Sequence, residues 1–189
     1  MPMKPSIHHG VLLRAGRAAL LAGSTSEAVA ALSAALASAC EFYMRVVCRD
    51  HGVGEDQVEA AWNDVRSNAE RQAGAFIWLF LLDTGTAPSL DPAMALLQDR
   101  VTHQARAFRL SSALGPVDAA PTSPGPGPAR QAGRGAREHE ARAFGEYVFA
   151  RIRAIEAALL RHRDAASVAE TDAPPIGSMA TFADYLRAP

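Results

Sequence analysis

Apolar and polar positions recur along most of this chain with the period of an α-helix. Val11, Leu12, Ala15, Ala19 and Ala22 share one face of residues 8–22, a short first helix that Gly23 ends. Ser24 and Glu27 follow at the spacing of a capping box. There the serine hydroxyl accepts from the third backbone N–H of the helix and the glutamate accepts from the serine's own backbone N–H. Val29, Leu32, Leu36, Ala39, Tyr43 and Val46 then continue the three-four rhythm to residue 49, where His-Gly-Val-Gly (51–54) stops it. A third helix is expected over 55–83, with Val58, Ala61, Val65 and Ala69 as its early stripe. The run AGAFIWLFLL (73–82) within it is apolar all round. That predicts a segment buried on several sides at the centre of a bundle, with a bend at Gly74.

Beyond a loop at 83–92, Pro92 opens a further expected helix carrying Met94, Leu97, Val101, Ala105 and Phe108. Residues 115–135 hold five prolines and five glycines, a composition read as a flexible insertion spanning about 113–137. The cleanest stripe follows over 138–164: Phe144, Val148, Ile152, Ile155 and Leu159. A tail over 165–189 ends in FADYLRAP, read as a short docking helix. These elements predict an all-α fold: an antiparallel bundle of about five helices, residues 1–164 forming a single domain with a long insertion before the last helix.

Composition agrees with a globular chain, since 49% of the 189 residues are hydrophobic and 21% charged. Lys4 is the single lysine among 19 basic residues, a bias expected of a GC-rich bacterial genome rather than of a nucleic-acid site. The net charge of −1 carries no overall basicity. Cys40 and Cys48 are eight apart in one helix, about 12 Å by helical rise, too far for a disulfide, and read as buried thiols. Arg14 and Arg17 interrupt the N-terminal apolar stretch, and the 73–82 run is half the length of a membrane span. A cytoplasmic protein without membrane contact is therefore expected.

Candidate chemistry centres on LLQDRVTHQ (96–104). Asp99 lies four residues before His103 on one helix face, and Arg100 and Arg106 lie three before and three after it. An imidazole beside guanidinium groups can move a proton from a ribose 2′-hydroxyl while the cation offsets phosphate charge. The same spacing also describes an ordinary solvated helix face. No phosphate-binding glycine loop, metal motif or nucleophile elbow is present. His8 and His9 read as solvent-facing or cap-like rather than as metal ligands, and His51 as a helix-end residue. His139 and His162 flank the last helix without an evident partner. Glu41 either faces solvent or meets an arginine, and Trp62 and Trp78 are expected to pack. No cofactor and no metal are expected.

The order of these features resembles the HEPN domain family (higher eukaryotes and prokaryotes nucleotide-binding). A first helix of the form HxxLLRxxRxxL starts at His9. It is followed by AVAALSAALASACEFYMR (28–45), a long middle helix, a helix closing on QDRVTHQ (98–104), and FGEYVFARIRAIEAALL (144–160). The resemblance covers roughly residues 9–112 and 138–164. It implies a homodimer in which two Arg-x4-His motifs face each other for metal-independent RNA cleavage, with RNA or a nucleotide as ligand. It also implies a toxin–antitoxin or antiphage setting, with an antitoxin as a partner protein. Carried over, the family histidine falls on His103, its valine on Val101, its arginine on Gln98 and its asparagine on Asp99, while Gln104 and Ala105 replace the following glycine. Arg106 and Arg109 are the residues placed to meet RNA. Gln98 offers no fixed charge to phosphate, a loss on the order of 10³ or more in rate. Arg100 points about 200° away from Gln98 around the helix and is a poor substitute. The resemblance thus implies a dimerisation or interaction module with an impaired site. The alternatives are a ribonuclease using His103 with a nearby arginine, or an unrelated helical structural domain.

Overall fold

Two glycines shape the start of the fold. Gly23 and Gly52 adopt positive φ (74° and 78°), which only glycine takes without a Cβ penalty. Each sits just past a helix. The N–H of Ser24 reaches Ala19 O (2.8 Å) and that of Gly23 reaches Leu20 O (3.1 Å). The same pair of bonds recurs from Val53 to Cys48 O and from Gly52 to Arg49 O, so both helices close on Schellman motifs. The structure, a computed structural model, describes residues 8–88, 128–162 and 181–187. Within them lie α1 (His8–Leu21), α2 (Thr25–Asp50), α3 (Glu55–Val65), α4 (Ala69–Thr84), α5 (Pro128–Leu159) and α6 (Phe182–Arg187). The fold is all-α, with no strand among the described residues.

α2 is the hub: α1 packs along it, α5 lies against it, and α4 meets its C-terminal half. Leu32, Ala35, Tyr43 and Val47 of α2 are fully buried together with Leu13 of α1 and Phe144, Val148 and Ile152 of α5. The stripe expected on α5 is buried in full, from Phe144 through Leu159. By length and composition α2 is the one described helix that could cross a membrane. Here its apolar surface packs on α1, α4 and α5.

Several expectations are corrected. On α1 the inward face is His9, Leu13 and Gly16, while Val11 is 55% exposed and Ala15 is also exposed. Close approach explains the shift. A Cβ on Gly16 would stand 2.8 Å from Leu32 Cγ, so α1 turns its glycine toward α2. Ser24 is the N-cap of α2 but makes no side-chain cap bond, so the Ser24–Glu27 box does not form. The single helix expected over 55–83 is two, broken at 66–68. Asn68 caps α4 by accepting from the Arg71 N–H (3.0 Å), and Gln72 Nε2 donates back to Arg66 O (2.6 Å). Gly74 lies inside α4.

The apolar run 73–82 is not central either. Phe76 and Phe80 are buried, but Trp78 and Leu82 are 67% and 78% exposed. Helical structure also reaches back to Pro128, ten residues before the expected start at 138, so the end of the Pro/Gly-rich stretch is regular. Pro128 suits a first helical position and Ala129, Arg130, Gln131 and Ala132 favour helix, but this turn has no apolar stripe for periodicity to reveal. The helix expected over 92–108 lies outside the described residues.

α6 is built by a reciprocal cap. Thr181 Oγ1 accepts from the Asp184 N–H (3.1 Å) and Asp184 Oδ2 accepts from the Thr181 N–H (3.1 Å). Phe182 and Tyr185 then pack on Phe149 of α5, at ring separations of 5.8 and 5.5 Å. Arg17 of α1 lies over the Tyr185 ring and donates to Leu186 O (3.1 Å), satisfying a carbonyl at the end of α6. A Cβ on Gly145 would collide with the Phe182 ring. The C-terminal helix is thus seated in a notch that only glycine leaves open.

Candidate functional site

A largely buried polar cluster gathers where three helices end. Asp50 is the last residue of α2, Asp83 stands one residue before the end of α4, and His162 follows α5 in its closing turn. His162 is 6% exposed. Its Nδ1 lies 2.9 Å from Asp50 Oδ2 and its Nε2 lies 3.2 Å from Asp83 Oδ1. Nδ1 is hydrogen-bonded to Asp50, while Nε2 meets Asp83 at ion-pair distance without hydrogen-bond alignment, and two carboxylates this close favour the imidazolium. Tyr43 donates its hydroxyl to Asp83 Oδ2, and Arg161 Nη2 stands 3.4 Å from the same oxygen.

Electrostatics agree with this geometry. Burial works against a charged His162, but the neighbouring carboxylates Asp50 and Asp83 outweigh it and raise its pKa above the usual 6.5. Burial likewise opposes ionised Asp83, yet Tyr43, His162 and Arg161 together hold its carboxyl below the usual range. Burial, then the Asp83 hydrogen bond and charge, push the Tyr43 phenol up. Three helix C-termini carry partial negative charge, and a cation among them is favoured. With both ring nitrogens engaged and almost no exposure, His162 is placed to clamp α2, α4 and α5 rather than to exchange protons with a substrate. The imidazole fills the space between the carboxylates. No group of three or more His, Cys, Asp or Glu among the described residues is placed to hold a metal.

His162 had no evident partner in the linear sequence. A signal for it does exist: α2 and α4 each carry an aspartate in their last two residues, two positions before a glycine, the wrong sign for a helix C-terminus. Two such misplaced carboxylates point to a cation between them.

His9 is the second buried histidine, contrary to the expectation of a solvent-facing residue. It packs beside Phe42 and stands 3.9 Å from Glu156, yet burial lowers its pKa, so the ring is held neutral. Glu41 meets an arginine: Arg45 Nε donates to it at 2.9 Å, while Arg45 Nη1 reaches Glu59 of α3 (2.8 Å) and the guanidinium lies over Trp62. Cys40 and Cys48 are free and half-buried. Burial pushes the Cys40 thiol up to about 12 against the opposing charge of Arg151, leaving it protonated and unreactive.

A different kind of surface lies on the outer side of α4. Arg71, Ala75, Trp78 and Leu82 follow one another at helical spacing and all are exposed. Beside them a Cβ on Gly74 would meet nothing within 4 Å. One face therefore carries a large aromatic side chain next to a stretch of helix that bears only small residues.

The residues singled out from sequence for chemistry or RNA contact (Gln98, Asp99, Arg100, His103, Arg106 and Arg109) all lie outside the described residues. No family model, curated protein or solved structure matches the chain at a significant level. The resemblance to HEPN domains thus rests on its sequence motifs alone.

Proposed function

We propose that this chain is a helical interaction module that pairs with a second copy of itself through the outer face of α4. The observation that carries the reading is the pair Trp78 and Leu82, one turn apart and 67% and 78% exposed. Single exposed apolar residues are ordinary on protein surfaces, but tryptophan is the side chain that most often anchors an interface. The face is also self-complementary. Trp78 supplies a knob, and Gly74 with exposed Ala75 one turn earlier leaves room on the helix surface for a partner's indole. Two antiparallel copies of α4 about a two-fold axis would seat each indole against the partner's small residues, as an isologous contact requires. A homodimer is also the state that the HEPN resemblance implies.

Light scattering coupled to size exclusion tests this. A dimer is expected at micromolar concentration, and Trp78→Glu is expected to yield a monomer with unchanged helical circular dichroism. A strict monomer in the parent protein, or a dimer indifferent to Trp78→Glu, would overturn the reading.

A further inference from the structure

α4 is lightly held for its length. Of its 16 residues only Phe76 and Phe80 are buried, and both pack on the Tyr43 ring of α2. Among the described residues, the polar ties from its C-terminal end to other helices run through Asp83 alone. That carboxylate meets Tyr43 of α2 and, just past α5, Arg161 and His162.

The two carboxylates beside His162 are not held alike. Nδ1 makes an aligned hydrogen bond to Asp50 Oδ2 (2.9 Å), whereas Nε2 stands 3.2 Å from Asp83 Oδ1 without that alignment. A neutral imidazole has one N–H. The Nδ1–H tautomer keeps the bond to Asp50 and turns a bare Nε2 lone pair toward an anion. The imidazolium therefore binds α2 and α4 at once, and the neutral ring binds α2 alone. Asp83 is only 11% exposed, and its remaining cation is then Arg161, half exposed and 3.4 Å away. A carboxylate buried with so little compensation gains by moving to water, and only Phe76 and Phe80 oppose the move.

The charged and titratable groups facing His162 are Tyr43 and Asp50 of α2, Asp83 of α4 and Arg161 beside it. Next to Asp50, Arg49 is turned to Glu55 of α3 and His51 is exposed. Histidine is the side-chain type in this junction that changes charge near neutrality. Against its burial, Asp50 and Asp83 raise the pKa of His162, which extends the charged state upward from pH 6.5.

We propose that this junction is a pH-operated latch on α4. Loss of the Nε2 proton of His162 to solvent frees the C-terminal half of α4 from α2 and from the end of α5, while α1, α2 and α5 stay packed together. The latch is closed below the His162 titration and open above it. Opening also parts a groove that Phe76 and Ile77 of α4 line together with Trp62 of α3. The latch does not depend on self-pairing, since Asp83 acts within one chain.

The test uses Trp78→Glu, which removes the self-pairing face and leaves Trp62 as the sole tryptophan. Nuclear magnetic resonance follows the His162 ring signals, identified by their loss when His162→Gln is added. Hydrogen exchange, corrected for the intrinsic dependence of exchange on pH, is measured at the same pH values. As His162 deprotonates, protection over 76–84 is expected to fall at least about tenfold with α2 unchanged. Trp62 emission is expected to shift to the red with the same midpoint. Asp83→Asn keeps an acceptor for Tyr43 and offers an amide N–H to neutral Nε2, so its α4 protection is expected to stay constant across the range. Loss of protection shared equally by α2 and α4, an α4 response that ignores the His162 midpoint, or a full response retained in Asp83→Asn would overturn the proposal.

Discussion

His162 and His9 are both buried, and they answer pH in opposite directions. The folded pKa of His162 is raised by Asp50 and Asp83, so its stabilisation is full below about pH 6.5 and is lost as pH rises through the folded value. The folded pKa of His9 is lowered by burial, so the fold is free of this penalty above about pH 6.5 and loses stability as pH falls from there through the folded value. Asp83 adds a third limb: its depressed pKa lends stability above the normal carboxylate range and withdraws it in stronger acid. Urea titrations at a series of pH values separate these contributions. His162→Gln is expected to cost roughly 1.5–3 kcal/mol near pH 6, where two carboxylates lose a charged donor, and to flatten the decline above it. His9→Leu is expected to flatten the acid side instead. A parent-like pH profile in His162→Gln would show that the junction is not the titrating element.

Elements differ in what holds them. α3 buries only Val58 and meets α2 through the Arg45 contacts to Glu55 and Glu59 and through Arg49 to Glu55. Its hold is therefore largely electrostatic and weakens with salt. α6 is held by shape. Phe182 occupies the space where Gly145 lacks a Cβ, and Arg17 closes the far end. Gly145→Ala is expected to displace Phe182 at a local cost of about 1–3 kcal/mol. Hydrogen exchange should show faster exchange over 182–187 with α2 and α5 unchanged. Unchanged protection of α6 would mean that the notch does not hold it.

At the scale of the molecule, α1, α2 and α5 share one apolar core, and α4 is fixed at its end by the His162 junction and along its length by Phe76 and Phe80 beside Tyr43. α4 thereby borders a groove on its inner side and leaves Trp78 and Leu82 exposed on its outer one. This arrangement favours a scaffold that presents surfaces. The neutral Gln98 in the HEPN-like motif points the same way, since phosphate would meet no fixed charge there. Incubated with single-stranded RNA in the presence of a chelator, the protein is expected to leave the RNA intact. Cleavage that disappears in His103→Ala would replace the interaction reading with that of a metal-independent ribonuclease.

Periodicity alone specified the α2 and α5 stripes, because both helices bury one continuous face and a 3.6-residue rhythm records that burial directly. Gly23 and Gly52 likewise marked their stops in the sequence, since positive φ selects glycine wherever it is needed. Rhythm was silent on the first turns of α5, which have no apolar stripe, and misleading at 66–68, where the apolar spacing runs across a break that Asn68 caps. It placed α4 at the centre because composition reports how apolar a segment is, not how many neighbours surround it. The rotation of α1 was decided by Gly16 against Leu32, and the seat of α6 by Gly145 against Phe182. His162 met Asp50 and Asp83 from 112 and 79 residues away. Local propensity chose the helices; which side chains face each other was settled by close packing between distant segments, and no one-dimensional pattern encodes that.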